Sequence, residues 1–307
     1  MIKSKLPNVS TTIFSVMSKL AIDYNAINLA QGFPDFDTDE ELINLLNHYS
    51  SNGYNQYAPM IGIEKLRHSI TDKFHKLYKS NYDYQTEVNI TSGASQAIFN
   101  VISTLIHPND EVIIFEPAYD MYQPCVELFG GKVVPIELKY PEFSIDFNEL
   151  EQKITSKTKL IIVNNPNNPS GKILTENDLK SFEDILKKTD CYLLADEVYE
   201  HITFDGQEHQ SFAKLHSLKD RIFIVGSFGK LFHITGWKIG YILAEENFMS
   251  EFRKCHQFNT FSTHTPSQYA LADYLENESN YLNLSKFFQD KRDLFINGLS
   301  QTKFDVL

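Results

Sequence analysis

A chain of 307 residues suits one large α/β domain with an appendage, and 42% hydrophobic with 22% charged residues suits a globular protein with a sizeable core. A net charge of −12 argues against a general nucleic-acid binder but leaves room for a local basic pocket around one phosphate. No apolar run approaches bilayer length, residues 1–14 read as no secretory signal, and Cys125, Cys191 and Cys255 are too scattered for a zinc site or disulfide framework, so a reduced cytoplasm is expected.

Residues 1–37 are loosely patterned and end in the turn-rich Gln31-Gly32-Phe33-Pro34-Asp35-Phe36. From about Val88 the pattern changes to short apolar β runs at 88–91, 111–115, 132–136, 160–164, 192–195, 222–225 and 239–244. Amphipathic helices are expected between them at 95–106, 119–128 and 175–187, the last capped by Thr175. Such alternation predicts a mostly parallel sheet covered by helices on both faces. Ligands of these sheets sit beyond the carboxyl ends of the strands.

The residues after each strand therefore carry the functional reading. Ser92-Gly93-Ala94-Ser95 runs into a helix start, where small residues and free N–H groups suit an anion; an ordinary strand-to-helix turn reads the same. Tyr119, in Glu116-Pro117-Ala118-Tyr119-Asp120, offers a ring for stacking on a heterocycle, or simple packing at a helix start. Asn168 sits in the loop Asn165-Pro166-Asn167-Asn168-Pro169-Ser170-Gly171, stiffened by its prolines. Asp196 follows an apolar strand, and a carboxylate buried there needs a partner: a backbone N–H, a lysine, or a protonated heterocyclic nitrogen. Gly226-Ser227-Phe228-Gly229-Lys230 and the later Lys238 bring cations to another strand end, although most lysines are merely solvated.

Each feature has a bland reading alone. Together they meet the needs of pyridoxal 5′-phosphate (PLP): donors and a cation for the phosphate, a stacking ring, a carboxylate for the pyridine nitrogen, and a lysine for covalent attachment.

At these motifs the chain resembles the class I and II aminotransferases of PLP fold type I, from about Thr11 onward. The branch it resembles most is the methionine, glutamine and kynurenine aminotransferase group. That likeness rests on Leu29-Ala30-Gln31-Gly32-Phe33-Pro34-Asp35-Phe36, Asn55-Gln56-Tyr57, Glu116-Pro117-Ala118-Tyr119-Asp120 and Asp196-Glu197-Val198-Tyr199. The resemblance implies that Lys230 binds the cofactor covalently, Asp196 meets the pyridine nitrogen, and Tyr199 and Asn168 meet the phenolic oxygen. It implies ring stacking by Tyr119 and phosphate contacts from Gly93, Ala94, Ser95, Ser227 and Lys238. Tyr57 resembles a residue that reaches the phosphate of a neighbouring subunit, and His264, in Thr263-His264-Thr265-Pro266, a neighbour-supplied wall of the substrate pocket. This implies a homodimer. Gly32 and Asn168 would meet the substrate carboxylate.

The implied fold is a mainly parallel seven-stranded sheet between helices with a split, incomplete small domain: an N-terminal arm at 1–37, a large PLP-binding domain at 38–285, and the start of a C-terminal part at 286–307. The implied chemistry is ping-pong transfer of an amino group from a neutral or aromatic, methionine-like amino acid to a 2-oxo acid, with Lys230 as acid and base. In the family pattern, a segment beyond the point matching Leu307 carries the arginine that clamps the substrate carboxylate. None of Arg67, Arg221, Arg253 and Arg292 has that context. Impaired turnover by a truncated product is accordingly one alternative, and β-elimination from cysteine conjugates is another. A nucleotide-dependent dehydrogenase is disfavoured, since no GxGxxG follows a strand.

Overall fold

The computed structural model describes residues 2–32, 34 and 36–304. Phe33 and Asp35 of the turn-rich motif, and residues 305–307 of the expected C-terminal part, lie outside the described residues. The strands are β1 (Val88–Thr91), β2 (Glu111–Glu116), β3 (Lys132–Glu137), β4 (Thr158–Asn164), β5 (Tyr192–Asp196), β6 (Ile222–Ser227) and β7 (Gly240–Leu243). They form one seven-stranded sheet in the order β1-β7-β6-β5-β4-β2-β3. β7 runs antiparallel to both neighbours, and the other pairings are parallel.

Three helices precede the sheet: α1 (Ile13–Asp23), α2 (Glu40–Ser51) and α3 (Glu64–Tyr78). Between strands lie α4 (Gly93–Leu105), α5 (Tyr122–Leu128), α6 (Phe147–Lys153), α7 (Glu176–Lys188) and the short α8 (Phe228–Leu231). After β7 come α9 (Glu246–Asn259), α10 (Thr265–Tyr274), α11 (Ser279–Leu282) and α12 (Leu284–Leu299). Alternate strand residues face opposite layers, as a pleat requires. Ile161, Leu193 and Ile224 pack with α3, α7 and α10 residues such as Phe74, Phe182 and Leu271. Leu160, Leu194 and Phe223 pack with Ile98 of α4, Val126 of α5 and Phe252 of α9.

Two helix starts are instructive. Thr175 caps α7 in a full capping box with Asp178, as its position before the apolar pattern suggests. The helix expected from residue 119 instead begins at Tyr122. Pro124 explains the difference: in the first turn its missing N–H costs no hydrogen bond, whereas a start at 119 would put it where that donor is needed. Tyr119 is thereby left in the turn after β2, free of helical constraint.

Behind the end of β5 lies a buried ionic cluster. Lys73 of α3 and Glu200 are each 4% exposed and pair at 2.6 Å, and the Tyr78 hydroxyl donates to the same carboxylate at 2.7 Å. Despite the opposing effect of burial, Lys73 and the neighbouring histidines draw the Glu200 carboxyl down from 4.5 to about 2. Burial lowers His201 from 6.5 to about 3. In both cases the unfolded chain binds protons that the folded chain refuses. The share of stability held by these two groups should be whole above pH 6.5, decline as His201 is forced to charge toward pH 3, and lose the Glu200 part between pH 4.5 and 2. Melting curves across pH test this: His201→Gln should flatten the upper part of the decline. Glu200→Gln should cost roughly 3–5 kcal/mol at neutral pH by stranding the Lys73 charge.

Candidate active site

Strand register sets the polar residues level along one edge of the sheet. Asn164 pairs with Asp196 across β4 and β5, and Asp196 with Val225 across β5 and β6. Ser227 and Thr91 both pair with Gly240 of β7. Because β7 is antiparallel, its first residue lies at the edge where its neighbours end, so the preceding Lys238 arrives at the same place as Gly93, Ser227 and Asp196.

A cavity of about 200 Å³ opens on that edge. Its lining includes Gly93, Ala94 and Ser95 with Ser227 and Lys238 in one wall, and Tyr119, Asn168, Asp196, Tyr199 and Lys230 elsewhere. The first wall is an anion cradle. It is the N-terminus of a 13-residue helix whose Ser92 cap makes no side-chain hydrogen bond to the first turn. Gly93 has φ +71°, and a Cβ there would stand 3.5 Å from Lys238 Nζ, in the space the cradle keeps open. Lys238 is itself left-handed, at φ 56°, which turns its side chain back over the helix start. A Cβ on Gly240 would meet Gly226 O at 2.7 Å and Ala94 N at 2.8 Å, so only glycine lets β7 pass beneath the cradle.

Asp196 lies across the cavity at 3% exposure. Its Oδ2 accepts from the Tyr122 hydroxyl at 2.6 Å and its Oδ1 from the Val198 N–H at 3.3 Å. Burial pushes its carboxyl up from 3.8 to about 6, against the lowering pull of those two donors. Its carbonyl is held by Asn164 Nδ2 at 2.9 Å and Asn165 N at 3.0 Å. Asn164 Oδ1 in turn accepts from Asn168 N at 2.6 Å, which anchors the proline-rich loop to the strand end. Burial also raises Tyr199 to about 12, against a lowering pull from the neighbouring Asn168 side chain. Lys230 Nζ stands 5.8 Å from the Tyr199 ring centre. Surrounding walls desolvate that ammonium and lower its pKa, Asp196 opposes the shift, and Lys238 adds to it.

An outer cleft of about 940 Å³ shares Tyr119, Asn168, Tyr199 and Lys230 with the inner cavity and adds Gly32, Phe14, Phe36, Phe288 and Lys291. The remaining sequence-derived positions lie elsewhere in this chain. Tyr57 is 85% exposed, edge-on to Phe261 at 5.5 Å. His264 precedes α10, its Nδ1 2.7 Å from Ser267 Oγ. Asn164 and Tyr122 were not singled out from the sequence. The signal for Asn164 was present, since it is a polar residue closing an apolar strand just as Asp196 is. For Tyr122, nothing short of the tertiary contact distinguishes it from a packing residue.

Cradle geometry yields a direct expectation. Gly240→Ala should force the start of α4 away from β7, seen as faster amide exchange at Ala94 and Ser95 and a lower melting temperature. Unchanged exchange there would mean that β7 yields instead of α4.

Comparison with known proteins gives concordant matches. The family described as aminotransferase class I and II matches residues 24–307. Methionine aminotransferase of Escherichia coli is 42% identical over 306 residues, covering 99% of this chain and 79% of the relative. A kynurenine–oxoglutarate transaminase of Dictyostelium discoideum is 35% identical, covering 96% and 72%. Among solved structures, an E. coli protein identified as a methionine aminotransferase superposes with a TM-score of 0.95 at 41% identity, covering 99% of this chain and 79% of that one. Thermus thermophilus aspartate aminotransferase with maleate gives 0.89 at 28% identity, covering 98% and 80%.

Proposed function

This chain belongs to the class I and II aminotransferases, enzymes that work with PLP, and on that premise we propose that it moves an amino group from a neutral or aromatic, methionine-like amino acid to a 2-oxo acid. The observation that carries the donor class is the outer cleft, whose walls include Phe14, Phe36, Tyr119 and Phe288. Of its lysines, Lys291 has its Nζ over the Phe36 and Phe287 rings at 4.6 and 5.0 Å. An apolar or aromatic side chain fits such walls. The likeness to a methionine aminotransferase supports the same reading.

The donor set fits the cofactor. The free N–H groups of Ala94 and Ser95, the open cradle over Gly93, the Ser227 hydroxyl and Lys238 would hold its phosphate. Tyr119 would stack on its ring, Asp196 would hold a proton on the pyridine nitrogen, and Tyr199 and Asn168 would donate to the phenolic oxygen. When bound, PLP supplies the electron sink that lets the Cα–H bond of an amino acid ionise. Lys230 is the residue that would hold it covalently. Its Nζ would be placed to move the proton at the substrate Cα, and burial, which lowers its pKa, favours the neutral amine that this role needs. Gly32 N–H and the Asn168 amide would orient the substrate carboxylate.

The proposed organisation is a large domain at 38–285 with a small domain split between 1–37 and 286–307. Support comes from Phe36, whose ring packs edge-on against Phe287 at 5.0 Å and so joins the two parts. A homodimer is proposed because Tyr57, 85% exposed, stands edge-on to the likewise exposed Phe261, an aromatic pair that a second copy would cover. In it Tyr57 would reach the partner's phosphate and His264 would wall the partner's pocket. No described helix is long and apolar enough to cross a membrane. The unpaired Cys125, Cys191 and Cys255 support a reducing, cytoplasmic setting.

Two measurements test this reading. Borohydride reduction of the holoenzyme followed by peptide mapping should place the cofactor on Lys230; a label on Lys238 or any other lysine would sink the assignment. With one fixed 2-oxo acid, methionine and aromatic donors should exceed aspartate in kcat/KM by at least about tenfold, the scale of one lost charge-assisted contact. Aspartate ranking first would overturn the donor class.

A further inference from the structure

Tyr122 has no place in the chemistry above and does not line the cavity, yet it touches the residue on which that chemistry turns. It opens α5, is 2% exposed, and gives its hydroxyl to Asp196 Oδ2 at 2.6 Å. Its ring stands edge-on to Tyr119 at 5.7 Å, so one side chain braces two walls of the cavity. The other direct contact to the Asp196 carboxylate is the longer one from Val198 N–H. Glu197, next in the chain, works against the charge, and Lys230 of α8 works for it.

We infer that Tyr122 is a positioning residue that keeps Asp196 ionised and thereby keeps the cofactor's ring nitrogen protonated. This rests on the reading of Asp196 as the partner of that nitrogen. A carboxylate and a pyridine sharing one proton in a dry site can place it on either atom. Desolvation favours the neutral pair, with the proton on oxygen, and a short hydrogen bond from a phenol favours the ion pair, with the proton on nitrogen. The geometry supplies that bond from outside the cavity. Each Asp196 oxygen accepts one bond, from Tyr122 or from Val198 N–H, and keeps further acceptor capacity. The Tyr122 phenol stays a donor because burial and the adjacent Asp196 carboxylate hold its pKa well above the ordinary value.

The test is the ring-nitrogen resonance of 15N-labelled PLP in the holoenzyme at neutral pH. It should lie in the pyridinium range in the native protein and move toward the unprotonated range in Tyr122→Phe, with the first half-reaction slowed by about tenfold. Tyr78→Phe is the matched control: it removes an equally buried tyrosine hydroxyl from a different carboxylate, Glu200. That variant should leave the resonance where the native protein has it. A Tyr122→Phe resonance that does not move, or one that moves equally in Tyr78→Phe, overturns the inference. Asp196→Asn separates the two layers. If it also leaves the nitrogen protonated, the reading of Asp196 is what fails; if it shifts the nitrogen and Tyr122→Phe does not, only the role of Tyr122 fails. Should Tyr122→Phe not fold, 3-fluorotyrosine at position 122 keeps the ring and strengthens the donor. The pH at which the resonance leaves the pyridinium range should then rise, and no change or a fall overturns the proposal.

Discussion

A carboxylate at 3% exposure is the constraint around which this molecule is arranged. Asp196 ends a strand whose other residues are apolar, and the sheet carries it into a layer where a bare charge is strongly disfavoured. Several neighbours offset that cost. Tyr122 and Val198 N–H satisfy its oxygens, Asn164 and Asn165 hold its carbonyl, and Lys230 stands near enough to favour its charge. Even so, burial keeps its carboxyl pushed up to about 6.

The opposite wall solves the complementary problem of holding an anion without burying many cations. Backbone N–H groups at the start of α4 do most of it, and they work only because glycine is present twice. Gly93 turns left-handed to aim the first turn, and Gly240 lets β7 lie close beneath it. One lysine, Lys238, completes the cradle. In a chain with a net charge of −12, the proposed phosphate would thus meet N–H groups and one lysine at the start of α4.

Local patterning made much of this legible. Short apolar runs separated by amphipathic stretches located all seven strands to within a few residues, because a strand buried on both faces has few other ways to be written. Polar residues immediately after those runs pointed to the edge where a ligand sits. What stayed illegible depended on contacts between distant segments. The start of α5 was misjudged by three residues, since the aromatic pattern begins at Tyr119 but Pro124 sets the helix boundary.

The sequence by itself determined the strands, the loops that follow them and the chemical types gathered in those loops, since each is a matter of neighbours in the chain. Tertiary structure alone decided how they meet. The antiparallel entry of β7 brings Lys238 to the same edge as Gly93, although 145 positions separate them, and no pattern along the chain encodes the direction of a strand. It also decided that Tyr122, and not the equally aromatic Tyr119, reaches Asp196: helix α5 packs its buried face against the sheet and leaves Tyr119 in the turn before it. A hydrogen bond across 74 residues exists only once both layers are in place, because its stability comes from the dry interior that the fold creates.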